Sequence, residues 1–201
     1  MTTVRNLTPA DLDQAVHVLK HAFFNDPALV HLLPHSAHRA RVAPRIGRAF
    51  LRYGLRYGVV WCTEDVSGVA LRRPPGRERI NVWGLLVSGI VWLPLFMGLS
   101  ATWRLIQAER VTDRRHRQLM TGPHWYLWMI GVDPDRQGEG LGSALMAHTF
   151  AAAQADGVPC YLETTHPRAH AIHRAHGFED AAVGPLPGTH TTVWSMIRQA
   201  A

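Results

Sequence analysis

The sequence predicts a single α/β domain spanning residues 1–201, and three observations carry that prediction. An apolar strand at Trp125–Val132 runs into a glycine-bearing loop, residues 133–142, and then into an alanine-rich helix. Strand-like runs alternate with segments of helical periodicity along the chain, the order from which α/β layers are built. The 201 residues are 47% hydrophobic, enough for one sizeable core without disulfide support.

Residues 4–7 read as a short strand, and Thr8, Pro9 and Asp11 supply the start of a helix. Leu12, Ala15, Val16, Leu19 and Phe23 repeat at helical spacing until Asn25, Asp26 and Pro27 end the helix. A loop with His31, Pro34 and His35 leads to a second helix over 37–57, which contains Pro44 near its first turns and Gly47 and Gly54 within it. Strands at 58–63 and 67–72 follow, joined by a turn at Glu64 and Asp65.

Residues 81–103 hold no charged side chain and are rich in Trp, Leu, Val and Gly. The stretch is long enough to cross a bilayer. Gly84, Gly89, Pro94 and Gly98 interrupt it, however, and a span there would separate two halves of one sheet. Two short apolar helices are predicted instead, within an insertion at roughly 73–122 between the third and fourth strands, with contact to a membrane surface left open. Trp83, Trp92, Phe96 and Trp103 either line an acceptor cleft or pack as core. After the glycine loop, Leu141, Ala144, Leu145, Ala151 and Ala152 form a helix face that Gly157 ends.

The net charge of +6 and pI of about 10.1 come almost wholly from arginine, twenty of the twenty-one basic residues. They are spread through 39–56, 72–79 and 110–117 without interleaved aromatic residues in a compact block, so no nucleic-acid partner is expected. Cys62 and Cys160 have no metal-ligand spacing and read as free thiols. The opening residues lack the apolar run of a signal peptide, which predicts a cytoplasmic protein.

The loop is where chemistry is legible. Gly140 and Gly142 remove Cβ atoms in front of the backbone amides and permit unusual backbone angles, and Gly138 adds slack. Unpaired N–H groups and the helix dipole favour a phosphate there, with a cofactor pyrophosphate the natural guest. Gln137, Gly140 and Gly142 fill the pattern Gln or Arg, any two residues, Gly, any residue, Gly or Ala.

That pattern resembles the acetyl-CoA-binding motif of the GCN5-related N-acetyltransferases (GNAT). The resemblance continues through residues 161–165 and 172–178, the opening residues 4–8, the 23–27 loop and the closing 194–198, and is closest to the branch containing puromycin N-acetyltransferase. It implies a mixed, strongly twisted sheet flanked by helices. It also implies acetyl-CoA as co-substrate, held by Gln137, Gly138, Glu139, Gly140, Leu141, Gly142 and Ser143, with Met129, Ile130 and Val132 on a bulged fourth strand facing pantetheine and thioester.

The same resemblance makes Glu163 the first candidate for the amine's base, with a structural acceptor as its alternative; His124, just before the fourth strand, is the second by position, with a surface residue as its alternative. A tyrosine that usually protonates the thiolate is replaced by His173, and an upstream asparagine by Ala169. His31, Trp83, Trp92 and His124 are the candidate acceptor-binding residues, from the first interhelical loop, the insertion and the approach to the fourth strand. His166, His170, His173 and His176 lack accompanying acidic or cysteine ligands, so no metal is expected. The activity expected is N-acetylation of a small primary amine by direct transfer in a ternary complex. The alternative is a non-enzymatic or vestigial acyl-CoA-binding regulator of the same fold, associated with a membrane or not.

Overall fold

Alternation in two central strands sets the architecture. In the computed structural model, which describes residues 2–78 and 80–200, β2 (Val59–Thr63) packs Val60 and Cys62 into one core cluster and Trp61 into another. In β3 (Gly68–Arg73) Val69 and Leu71 oppose Ala70 in the same way. A strand buried on both faces needs a helical layer on each side. The first layer is α1 (Leu12–Phe23) and α3 (Ser36–Tyr57), packing Val18, Leu19 and Leu51 against β2 and β3. The second is α7 (Leu141–Asp156), whose Leu145 and Ala153 meet Trp61, Leu162 and Met196.

With β1 (Val4–Asn6), β4 (Trp125–Val132), β5 (Cys160–Thr164), β6 (Glu179–Pro185) and β7 (Thr192–Arg198), the strands make one sheet in the order β1-β2-β3-β4-β5-β7-β6. Among the described residues only β4 and β5 run parallel. Arg72 ties β3 to α7. Fully buried, it donates to the Leu145 carbonyl at 2.5 Å and lies 4.3 Å from the Trp61 ring centroid. Burial pushes its guanidinium down to about 9.

Several expectations are corrected here, but Thr8 does stand at the N-cap with Pro9 following it, as expected. Its amide and hydroxyl both donate to Asp11 Oδ2, at 2.9 and 2.7 Å, around a 3-10 turn at Pro9–Asp11 that precedes α1. The loop with His31 is mostly helix, α2 (Pro27–Leu32), because Asp26 Oδ1 accepts from the amides of Ala28 and Leu29 and Pro27 takes the first helical position. Asn-Asp-Pro reads as a stop, and six residues are too few to show periodicity. On α7 the buried face is Leu141, Leu145, Met146, Thr149 and Ala153, and Ala151 is exposed. In an alanine-rich helix the sequence gives little contrast from which to choose a face.

The insertion does contain two short helices, α4 (Val82–Ser88) and α5 (Leu93–Met97), but they run into the long α6 (Leu99–Leu119), which the sequence reading did not anticipate. Leu93, Met97 and Ala101 form a separate core with Leu33, Val42 and Ala49 beside α3. Trp83, Trp92 and Trp103 belong to no core. They are 72, 58 and 60% exposed. The α4 face that turns inward carries Gly84 and Ser88, and a Cβ on Gly84 would lie 2.5 Å from Tyr53. Only a bare backbone fits there, so the bulky side chains point outward.

Candidate active site

The sheet opens between its two parallel strands. β4 and β5 pair only through Trp125 with Cys160, Tyr126 with Tyr161 and Leu127 with Leu162. On the other side Leu71 faces Met129 while Arg72 faces Leu127, so Trp128 is an extra residue and β4 is bulged there. Beyond the bulge, half-buried Met129, Ile130 and Val132 keep β3 as neighbour but have no β5 partner. Their edge carries backbone donors and acceptors able to pair with an extended ligand. α1 backs this opening closely, since a Cβ on Gly131 would lie 3.0 Å from Ala22 Cβ.

The loop at the mouth of the opening is shaped by glycine, with a different division of labour from the one predicted. Gly138 and Gly140 sit at φ +90° and +80°, whereas Gly142 is helical and a Cβ there would make ordinary contact with Val132 at 3.7 Å. Thus Gly138 supplies left-handed backbone rather than slack, and Gly142 supplies space alone. The amides of Gly138, Glu139, Gly140, Leu141, Gly142 and Ser143 meet no acceptor among the described residues. Gln137 braces the turn by donating from Nε2 to the Val132 carbonyl at 3.4 Å.

Glu139, the carboxylate between the two left-handed glycines, is neutralised by Arg136 at 2.8 Å, and Arg136 also reaches Asp65 at 2.8 Å. Arg136 holds Glu139 below the usual carboxylate range, and Glu139 and Asp65 raise Arg136. Glu139 can therefore serve an anion only through its backbone. Six orphaned amides at the positive end of a sixteen-residue helix fit a pyrophosphate.

On the other side of the opening lies a cleft of about 1160 Å³ whose walls include Tyr126, Trp128, Leu105, Ile106, Glu109 and His116. Glu163 stands behind this wall. Tyr161 donates to its Oε1 at 2.8 Å, Tyr126 to its Oε2 at 3.3 Å, and Ser195 to Oε1 at 3.4 Å. Burial nevertheless raises the Glu163 carboxyl. Glu109 also faces this cleft from an exposed position on α6.

His124 lines the cleft, but its ring is engaged at both ends. Nδ1 donates to the Gly122 carbonyl at 2.8 Å, leaving Nε2 to accept from His116 Nε2 at 2.6 Å. As a base it is blocked, which corrects the sequence expectation. Burial, His124 and Arg73 push His116 down to about 4, and its ring stacks on Tyr161 at 4.6 Å. Tyr126, His116 and Glu109 were missed in the sequence because the last two fall in a charged helix that reads as a solvated surface. No local signal marks them. His31, Trp83 and Trp92, expected at the acceptor, are outside the cleft walls. The His31 ring is pushed down by burial and by Arg104.

His173 is buried, 5.8 Å from the Phe178 ring, and its Nδ1 has no partner among the described residues. Burial and the neighbouring His176 and His170 push it down to about 4. The other histidines of this helix, α8 (Pro167–Ala175), and its flanks are separately employed. His166 Nδ1 accepts from Arg168 N, His170 meets Asp180 at 2.8 Å, and His176 meets Ser143 at 3.1 Å.

A pH dependence of stability follows from the two histidines pushed furthest down, His116 and His173. Their folded values lie below the unfolded value of about 6.5, so the unfolded chain binds more protons between roughly pH 6.5 and 4. The stability they confer is full above that window and is lost as pH falls through it. Urea unfolding across the window should show this slope, and His173→Phe should reduce it; an unchanged slope would mean that His173 is not held neutral.

A seven-stranded mixed sheet, split between its two parallel strands and headed by a glycine-loop helix, is the GNAT fold. Residues 99–178 match the model of the Acetyltransferase (GNAT) family, which supports that family for this chain. Over 181 residues the chain is 25% identical to an uncharacterized N-acetyltransferase of Schizosaccharomyces pombe, covering 84% of this chain and 70% of that protein. Over 75 residues it is 40% identical to the mycothiol acetyltransferase of Clavibacter michiganensis, covering 32% of this chain and 24% of that protein. It thus spans about a quarter of that second relative. In structure it is similar to a histone acetyltransferase HPA2 and related acetyltransferase from Corynebacterium glutamicum, with a TM-score of 0.73, 24% identity and coverage of 100% and 97%. The family match begins at Leu99, so α6 lies inside it and α4 and α5 outside.

Proposed function

We propose that the protein is an acetyl-CoA-dependent N-acetyltransferase that acts on a primary amine of a small molecule by direct transfer in a ternary complex. One observation carries this reading: the β4–β5 opening lies between the orphaned amides of the loop and the Tyr126–Glu163 pair. A co-substrate held by its phosphates at one end would place its acyl end near the other.

Acetyl-CoA supplies an acetyl thioester. In the proposed mechanism the amides of residues 138–143 hold the pyrophosphate, and the free edge at Met129, Ile130 and Val132 aligns the pantetheine arm and polarises the carbonyl. Glu163, raised toward neutrality, accepts the amine's proton through Tyr126 or a bridging water. His173 is neutral above about pH 4 and serves the departing thiolate as an N–H hydrogen-bond donor rather than as an imidazolium. Screening an amine library with free coenzyme A release as readout tests the reading, and acetyl-CoA binding without turnover on any amine would refute it.

The neutral state of His173 favours a second reading, an acyl-CoA-binding protein with little turnover. His173→Phe distinguishes the two. If the residue donates to the thiolate, kcat falls about ten- to a hundredfold, the range of a hydrogen bond to a charged group, and acetyl-CoA affinity stays within a few-fold. Unchanged turnover in the Phe variant removes His173 from the chemistry. Acceptor choice is expected to follow the cleft wall. Leu105→Trp or Ile106→Trp should change acceptor KM by about tenfold with acetyl-CoA affinity nearly constant, and an equal effect on both substrates would count against the cleft as the acceptor site.

A further inference from the structure

Among the described residues, ten of the fourteen exposed large hydrophobic side chains fall between residues 82 and 103. They include Trp83, Trp92, Leu95 at 76%, Leu99 at 92% and Trp103. The inward faces of α4, α5 and the start of α6 are accounted for by Gly84, Ser88, Leu93, Met97 and Ala101. The outward faces have no partner among the described residues. So concentrated a patch marks a contact site rather than ordinary surface.

A cationic row adjoins it. Arg41, Arg45, Arg52 and Arg56 recur at spacings of four and seven on α3, all exposed and none ion-paired among the described residues. The junction is direct: the Arg45 guanidinium lies 4.8 Å from the Phe96 ring centroid, and His38 Nε2 lies 2.9 Å from the Phe96 carbonyl. Neither 27–63 nor 80–108 contains an Asp or Glu.

From this we infer that the α3–α5 face and the start of α6 dock on an anionic lipid bilayer, with tryptophan and leucine in the headgroup boundary and arginines on lipid phosphates. The helices lie on the surface: no helix among the described residues is long and apolar enough to cross a membrane. A second copy of the chain fits less well, because a two-fold contact would set one carboxylate-free cationic face against another. The inference does not depend on acetyl transfer.

Flotation with vesicles of phosphatidylcholine alone and of equal parts phosphatidylcholine and phosphatidylglycerol tests it. The full chain should float with the anionic vesicles at least about tenfold more than with the neutral ones, with blue-shifted tryptophan emission and quenching by brominated lipid. Each of Arg41→Ser, Arg45→Ser, Arg52→Ser and Arg56→Ser should lower partitioning about fivefold, and added salt should lower it further. The double variant L95S/L99S should lower it at least about tenfold with an unchanged circular dichroism spectrum; these positions are exposed, so folding should survive. No association with either vesicle, or equal binding by the folded double variant, overturns the proposal. So does a stable dimer in sedimentation that L95S/L99S dissociates, which would assign the face to a second copy.

Discussion

Gly140→Val is expected to weaken acetyl-CoA binding at least about a hundredfold, roughly 2.7 kcal/mol, while the fold persists. Gly140 stands at φ +80°, and a Cβ added there would have nothing within 4 Å, so the penalty is backbone strain and not a clash. A β-branched residue is a poor occupant of the left-handed region. The loop relieves the strain by rotating, and the amides of Leu141, Gly142 and Ser143 no longer converge. Gly142→Val acts differently. That position is helical, and the added methyl groups crowd the space before the amides with little backbone strain. Calorimetry on the two folded variants checks both, and near-parent affinity in Gly140→Val would remove the phosphate cradle from the site.

Glu163→Gln is expected to lower kcat/KM about a hundred- to ten-thousandfold without lowering Tm. Burial raises this carboxyl in the folded protein. The folded state therefore holds its proton more tightly than the unfolded chain, and that contribution to stability is lost as pH rises through the folded value. At neutral pH an ionised Glu163 is a cost that a neutral amide relieves, while the amide can still accept from Tyr161 or Tyr126. In the parent protein kcat/KM should fall as pH drops below the raised value; in the variant that limb should vanish. A folded variant with parental rate and an unchanged acid limb would move the base elsewhere, with Glu109 the next residue to test.

The two halves of the site differ in how far they can be read from the chain. The loop is local: Gln137, Gly140 and Gly142 are neighbours, and one turn's geometry decides what they bind. Even so, it is Gly138 and not Gly142 that shares the left-handed backbone with Gly140, and Gly142 keeps only the part of its expected role that concerns space. The cleft side joins α6, β4, β5 and β7, so Glu109, His116, Tyr126, Glu163 and Ser195 come together only in the folded chain. His124 looked free in sequence and is tied up by His116, eight residues away.

Local pattern was enough for the class of fold, the strand–loop–helix order around the glycines, the interruption of the apolar segment, and the placement of Glu163 on a strand and of His173 on the helix after it. These follow from periodicity, capping chemistry and short spacings, which act over a few residues. Whether those residues are charged, and what faces them, is settled only when distant segments pack together. Burial holds His173 neutral and lifts Glu163, and the bulge at Trp128 together with the early end of β4–β5 pairing opens the sheet. Packing also turned the tryptophans of the insertion outward, because only Gly84 lets α4 approach Tyr53. Exposure, desolvation and strand divergence are properties of surfaces brought together from distant parts of the chain, and no local pattern encodes them.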